Sequence, residues 1–252
     1  MIIFHADLDN TLMYSYKRDI GADKRCCEIY RDREISFITE KSYELLKQVN
    51  EKVLLVPTTT RTMEQYNRID FGIPKPRYAL TCNGGVLLVD GEVDATWYQD
   101  SLELIKESAE QLQKAIPLLE NEPKRCFDIH FIMDLFLFTK CDEPEQVVAM
   151  LKEKLDTTLV DVFNNQIKVY VVPKKLSKGM ALERFRSYLP SDMVIAAGDS
   201  LFDVSMIQAA DVSYAPEGLA KENHFADKTT CIPEEQRFSE ELLSHILALV
   251  ID

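Results

Sequence analysis

The chain predicts an α/β fold in which a parallel-sheet core is interrupted by an α+β insertion. Three observations carry this. Apolar runs that end in polar or acidic turns recur at Ile2 to Phe4, Lys52 to Pro57 and Met193 to Ala197, the pattern of strands buried on both faces. Helical periodicity lies between them, at Tyr43, Leu46 and Val49 and again over Lys178 to Tyr188. From about Val86 to Val172 the pattern changes to hairpins mixed with helices, which describes a layer with a core of its own.

At 252 residues and 46% hydrophobic content, the chain can bury one large core or two modest ones. A net charge of −13, from 42 acidic and 29 basic residues, opposes a broad electrostatic footprint on nucleic acid or an anionic membrane. No apolar run approaches the length of a membrane helix, and the first residues enter a strand instead of a basic region and signal core. A cytoplasmic protein with neither nucleic acid nor membrane as partner is expected. The six cysteines include no C-x-x-C pair and no zinc spacing, so reduced thiols are the default.

The first strand ends in Asp7 and Asp9, followed by Asn10 and Thr11. Two carboxylates this close repel, an arrangement that is costly unless a cation or a shared proton relieves it; the plain alternative is an acidic turn that caps the strand. Tyr14 to Arg25 is polar, and Cys27 to Phe37 alternates around a charged turn at Arg31 to Arg33, which predicts a flap over about 12–37 beside a crevice. Thr39 is the expected N-cap of a helix to about Asn50. The second strand ends in Thr58, Thr59, Thr60 and Arg61, where hydroxyls facing a crevice can donate to a phosphate oxygen without adding charge, although threonine is also common in strands. Tyr78 to Cys82 is a third short strand, and Asn83, Gly84 and Gly85 form a turn able to bring backbone near a ligand.

In the insertion, Asp90 and Gly91 turn a hairpin whose strand ends at Trp97 and Tyr98. Asp100 with Glu103 reads as a capping box for a helix to about Leu119. Strands follow at Cys126 to Ile132 and Leu135 to Lys140, then a helix at Glu145 to Leu155, then strands Thr158 to Phe163 and Gln166 to Val172 joined at Asn164 and Asn165. His130 reads as a strand residue, since no partner stands at metal spacing. Ser177 then caps the helix Lys178 to Tyr188. A lysine in a helix's first turn opposes the dipole, so its presence suggests an anion site. Met193 to Ala197 ends at Gly198, Asp199 and Ser200, with Asp203 in the next helix, and these carboxylates add oxygen ligands of the kind Mg²⁺ takes. A strand near Asp211 to Tyr214, a segment Ala220 to Ala226 and a helix Ser239 to Val250 complete the chain.

In order, D-x-D-x-T at Asp7 to Thr11, the hydroxyl at Thr59, Lys178, and G-D-x-x-x-D at Gly198 to Asp203 resemble the four motifs of the haloacid dehalogenase-like phosphohydrolase superfamily. The Thr-Cys-Asn-Gly-Gly stretch resembles the N-G-A turn of its Cof-like, sucrose-phosphatase-like branch, whose members carry an αβ cap between the Thr and Lys motifs. The resemblance implies a Rossmann-like parallel-sheet core at 1–85 and 173–252 and an α+β cap domain at 86–172. It implies a Mg²⁺-dependent phosphatase acting on a small phosphorylated metabolite, a sugar or polyol phosphate, through an aspartyl-phosphate, with the cap closing over the site.

In that scheme Asp7 is the nucleophile, Asp9 the general acid and base, and Thr59 and Lys178 hold phosphoryl oxygens, with Thr58 competing for the role of Thr59. Thr60, Arg61, Asn83 and Gly84 are expected to bind substrate. The metal set is Asp7, Asp9 through its carbonyl, Asp199 and Asp203, the last as an orienter of Lys178 or of a metal water. An acid at Asp9 distinguishes phosphoryl transfer from halide removal, whose leaving group needs no proton. Two residues depart from the pattern: Thr60 stands where many relatives carry Gly, and Phe202 where they usually carry Asn. A phosphomutase and a binding or regulatory protein without turnover are the alternatives, and the sequence sets no oligomeric state.

Overall fold

The computed structural model describes residues 1–251, which divide into two compact units, Met1–Asp94 with Lys178–Asp252, and Ala95–Ser177. In the first unit the elements are β1 (Ile2–Ala6), β2 (Tyr14–Ser15), β3 (Lys24–Tyr30), β4 (Arg33–Thr39), α1 (Glu40–Asn50), β5 (Leu54–Pro57), α2 (Met63–Asn67), β6 (Tyr78–Thr81), β7 (Val86–Val89) and β8 (Glu92–Val93). The second unit holds α3 (Ala95–Leu104), α4 (Ala109–Glu120), β9 (His130–Ile132), β10 (Phe136–Lys140), α5 (Pro144–Lys154), β11 (Val160–Asn165) and β12 (Lys168–Pro173). The chain then returns with α6 (Lys178–Tyr188), β13 (Met193–Ala197), α7 (Val204–Ala209), β14 (Val212–Pro216), α8 (Glu217–Glu222), β15 (Thr229–Ile232) and α9 (Phe238–Ile251).

The core sheet has the order β15-β14-β13-β1-β5, parallel throughout. Ile3, Phe4, Leu55, Val56, Val194 and Ile195 are all at most 2% exposed, which explains why these strands read as unbroken apolar runs. Each such side chain contributes roughly 1.5–3 kcal/mol on burial. The ladder continues one residue beyond the strands: Asp7 N donates to the Ala197 carbonyl (2.9 Å) and Thr58 N to the Ala6 carbonyl (2.8 Å). Three polar strand ends are thereby fixed side by side, at the edge where open parallel sheets bind ligands.

Segment 12–37 forms a three-stranded sheet, β2-β4-β3, with Arg31 and Asp32 at φ 50° and 59°, the pair of left-handed residues a tight hairpin turn needs. Thr39 caps α1, its hydroxyl accepting from Ser42 N. A second small sheet, β6-β7-β8, turns at Asp90 and Gly91, both with positive φ. This hairpin belongs to the first unit, whereas the sequence starts the cap at 86; the compact units change at 94/95 and 177/178.

The second unit is an antiparallel sheet, β11-β12-β10-β9, with α4 and α5 on one face. Leu112, Ala115 and Leu119 of α4 and Val147, Val148 and Leu151 of α5 share a core with Leu137, Val160, Val162, Val169 and Val171. A row of directly opposed residues, His130, Phe138, Tyr170 and Phe163, crosses all four strands. His130 is stacked between Phe127 and Phe138, with ring centroids 5.1 and 4.9 Å away.

Some expected boundaries fail for identifiable reasons. Trp97 and Tyr98 lie in helix α3, not at a strand end. Buried positions 97, 101, 105, 108, 112, 115 and 119 keep a helical repeat, but Ser101 and Ser108 occupy two of them and mask it. Asp100 and Glu103 are consequently inside a helix and cap nothing, and the chain kinks through a short 3₁₀ turn, Lys106–Ser108, between α3 and α4. The strand expected from Cys126 is ordered as β9 only from His130: Cys126 N still donates to the Lys140 carbonyl (2.9 Å), but the Phe127 carbonyl accepts from the Thr139 hydroxyl (2.8 Å) instead of from a ladder N–H. The β11–β12 turn falls at Gln166 and Ile167, one pair later than the two asparagines. The edge strand β15 was not expected, and its Thr230 and Cys231 are exposed. No described helix is long and apolar enough to cross a membrane.

Candidate active site

The turn after β1 is wound by the Leu8 carbonyl, which accepts from Thr11, Leu12 and Met13 N (3.3, 3.0 and 3.0 Å). Asn10 sits at φ 59°, which its short polar side chain tolerates. Asp7 is 6% exposed. Its Oδ1 accepts from Lys178 Nζ at 2.6 Å, and the same ammonium donates to Asp203 Oδ1 at 2.5 Å. Lys178, in the first turn of α6, is 1% exposed and Asp203 is fully buried.

Asp203 is held firmly. Its second oxygen accepts from Asp199 N (3.1 Å), Ser200 N (2.9 Å) and Ser200 Oγ (2.8 Å), closing the loop after β13. Gly198 permits this, since a Cβ there would lie 2.2 Å from the Asp203 Cβ. Gly179 plays the same part for α6: a Cβ would meet the Ser205 carbonyl oxygen at 2.4 Å, and its N–H donates to Ser205 Oγ (3.1 Å).

Oxygens of Asp7, Asp199 and Asp203 all lie within 4.8 Å of one another, with one ammonium among them. Burial first, and then the neighbouring carboxylates, push Asp7 up to about 7 against the pull of Lys178. Asp199 is raised by burial and then by Asp7 and Asp203. For Lys178, burial alone would lower the pKa, but Asp203 and Asp7 outweigh it and raise it. A cluster with more negative than positive charge and a free oxygen on Asp7 suits a hard cation with oxygen ligands. Asp203 is the exception, because both its oxygens are already engaged. Thr11 Oγ1 reaches Asp199 Oδ1 only at 3.4 Å, a weak bond.

At the end of β5 the threonines separate. Thr58 Oγ1 donates to the Val56 carbonyl (3.1 Å) and meets His5 Nδ1 (3.0 Å). Burial, and secondarily Arg186, hold His5 down to about 3, so the imidazole is neutral and Nδ1 supplies the proton of that bond. Thr58 is thus spent inside the core. Thr59 Oγ1 accepts from Arg61 N (3.1 Å), which leaves its own proton available. Thr60 is half-buried beside it.

Arg61, expected to bind substrate, is engaged with protein carboxylates on both sides. Its Nε and Nη2 fork onto Asp9 Oδ2 and Oδ1 (2.7 and 2.8 Å), and its Nη1 donates to Glu28 Oε2 (2.9 Å). Asn83 and Gly84, also expected at the substrate, are buried in a left-handed turn. Asn83 N donates to the Thr59 carbonyl (3.0 Å) and Cys82 N to the Arg61 carbonyl (2.8 Å), so the turn braces the segment that carries Thr59.

A model of the haloacid dehalogenase-like hydrolases matches residues 91–218. The chain belongs to this family. The match takes in Lys178, Asp199 and Asp203. Among solved structures, the sucrose-phosphatase of Synechocystis sp. PCC6803, in complex with sucrose and phosphate, is 17% identical with a TM-score of 0.67, covering 98% of this chain and 97% of that one. A subclass IIB sugar phosphatase of the superfamily is 13% identical with a TM-score of 0.57, covering 97% and 98%. A superfamily phosphatase from Bacteroides thetaiotaomicron is 16% identical with a TM-score of 0.56, covering 97% and 94%. At such identities the likeness is one of fold. No curated protein matches the chain significantly.

Sequence reasoning missed Glu28 and Ser205 as parts of this haloacid dehalogenase-like site, and it named Ser200 at the end of β13 without foreseeing its bonds to Asp203. Glu28 is one of three acids in the alternating Cys27 to Phe37 segment, with Asp32 and Glu34, and the residue pattern does not set it apart from them.

Proposed function

We propose that this hydrolase is a Mg²⁺-dependent phosphatase that releases phosphate from a small phosphorylated metabolite, a sugar or polyol phosphate, through an aspartyl-phosphate on Asp7. The observation that carries the reading is the Asp7–Lys178–Asp203 chain at 2.6 and 2.5 Å, beside Asp199 and one strand away from Thr59. A carboxylate beside an ammonium that can neutralise a phosphoryl oxygen supports the role of nucleophile for Asp7. The sugar phosphatases of the same fold support the substrate class.

Asp7 attacks phosphorus, forming the Asp7 O–P bond as the bond to the leaving oxygen breaks, which divides one difficult displacement into two easier ones. Asp9 gives its proton to the leaving oxygen and then takes one from the water that attacks the phosphoenzyme. Arg61 is compatible with this, since a protonated Asp9 keeps one oxygen as acceptor for a guanidinium N–H and weakens only the other bond of the fork, at the oxygen that carries the proton. Lys178 and Thr59 bind phosphoryl oxygens, and Asp203 orients Lys178. A divalent cation, held by Asp7, Asp199 and the Asp9 carbonyl, supplies charge neutralisation when bound.

The test is phosphate release over a panel of sugar, polyol and nucleotide monophosphates, with and without Mg²⁺, for wild type and Asp7→Asn. Release that needs Mg²⁺ and is absent in the variant is expected. A panel with no Mg²⁺-dependent release contradicts the reading.

A further inference from the structure

Glu28 has no role in the chemistry above, yet its carboxylate is fully buried. Three donors hold it: Arg61 Nη1 (2.9 Å), Arg68 Nε (3.1 Å) and Ser36 Oγ (2.7 Å). Burying a carboxylate is expensive even when it is paired. The fold takes specific steps to do it. Strand β3 carries register irregularities on both sides of Glu28, and a bulge there re-aims the side chain. As a result Cys27 and Glu28 are both buried, against the alternation a regular strand would impose.

The target of this device is one guanidinium. Arg61 spends Nε and Nη2 on Asp9 and Nη1 on Glu28, so Glu28 fixes the plane in which the other two N–H groups point. A guanidinium is a rigid planar fork. Tilting it moves both bonds to Asp9 together. We infer that Glu28 is a positioning residue, which through Arg61 holds the Asp9 carboxyl in the orientation for proton transfer to the leaving group. This rests on the phosphatase reading, in which Asp9 is the general acid.

A residue that acts through a general acid has a signature that a structural support lacks. A phosphate ester with a good leaving group, 4-nitrophenol, needs little protonation, whereas an alkyl ester such as glycerol phosphate needs it fully. Steady-state rates on both esters, with Mg²⁺ present, are compared for wild type, Glu28→Gln and Asp9→Asn. Glu28→Gln should lower kcat/KM, which covers only the steps up to departure of the leaving group, about 10- to 100-fold for the alkyl ester, part of the loss expected for a displaced general acid, and less than about threefold for the aryl ester, while kcat, which includes hydrolysis of the shared phosphoenzyme, falls for both. Asp9→Asn should show the same selectivity, more strongly. Equal losses of kcat/KM on both esters, or no change in either, would overturn the inference.

If Glu28→Gln does not fold, Glu28→Asp keeps the charge but withdraws the carboxylate, and the same split is expected. A crystal structure of the folded variant decides the matter independently of turnover. A shifted Arg61–Asp9 fork supports the inference, and an unmoved fork overturns it. Wild type that hydrolyses neither ester would count against the phosphatase reading, and the variant's structure would still judge the role of Glu28.

Discussion

Replacing Lys178 by Met tests the charge arrangement that the active site depends on. The side chain is 1% exposed and its ammonium touches Asp7 and Asp203 at 2.6 and 2.5 Å. Methionine keeps the length and apolar volume of the lysine stem but leaves three carboxylates within 4.8 Å and no cation. Removing one partner from a buried ion pair costs about 3–5 kcal/mol. The two pairs do not double this, because Asp7, at about 7, takes up a proton and relieves part of the repulsion. For a chain of this size each kcal/mol corresponds to roughly 2–4 °C, so Tm in chelator should fall by about 6–20 °C. The assay is thermal unfolding of wild type and Lys178→Met in chelator, at pH values above and below 7. The loss should be larger above pH 7, where the carboxylates are charged, and phosphate release should vanish. A variant as stable as wild type above pH 7 would refute the reasoning, since it would mean the ammonium does not offset the carboxylate repulsion.

Because the folded state raises Asp7 to about 7 from an ordinary carboxylate value of about 4, its contribution to stability in chelator is complete below about pH 4 and lost as pH rises through 7. Divalent-cation affinity should rise over the same interval, because the metal displaces that proton; unfolding scans and calorimetric titration against pH measure the two slopes. Thr58→Val should cost about 1 kcal/mol through its lost bonds to Val56 and His5 while phosphate release persists. Thr59→Val should cost a similar amount, through the acceptor lost to Arg61 N, but should also reduce phosphate release at least about tenfold, toward the scale of one lost oxyanion donor.

How much of this was legible in the sequence varies with the distance over which each feature is set. Asp7, Thr58, Thr59 and Asp199 follow directly from apolar runs that stop, because in a parallel sheet a strand's end is also the site's edge. Lys178 was legible because its place in a first turn is unfavourable by itself. The choice of Thr59 over Thr58 came from the family resemblance and not from the residues themselves, since physically it depends on a histidine 53 positions away whose ring is buried in the core. The engagement of Arg61 was equally hidden. Its partners Asp9 and Glu28 lie 52 and 33 positions away, and a strand irregularity aims one of them. Helix α3 was missed for a local reason, as serines at two of its buried positions broke the apolar repeat while Asp100 and Glu103 imitated a helix start.

The most direct test of the central claim is to trap the covalent phosphoenzyme. Wild type and Asp7→Asn are mixed with a radiolabelled substrate found in the phosphate-release panel, quenched in acid within the first turnover, and digested. The account predicts label on the wild-type peptide that carries Asp7, at a level approaching one phosphoryl group per active site, and none on the variant. Turnover by Asp7→Asn, or label on a residue other than Asp7, would contradict it.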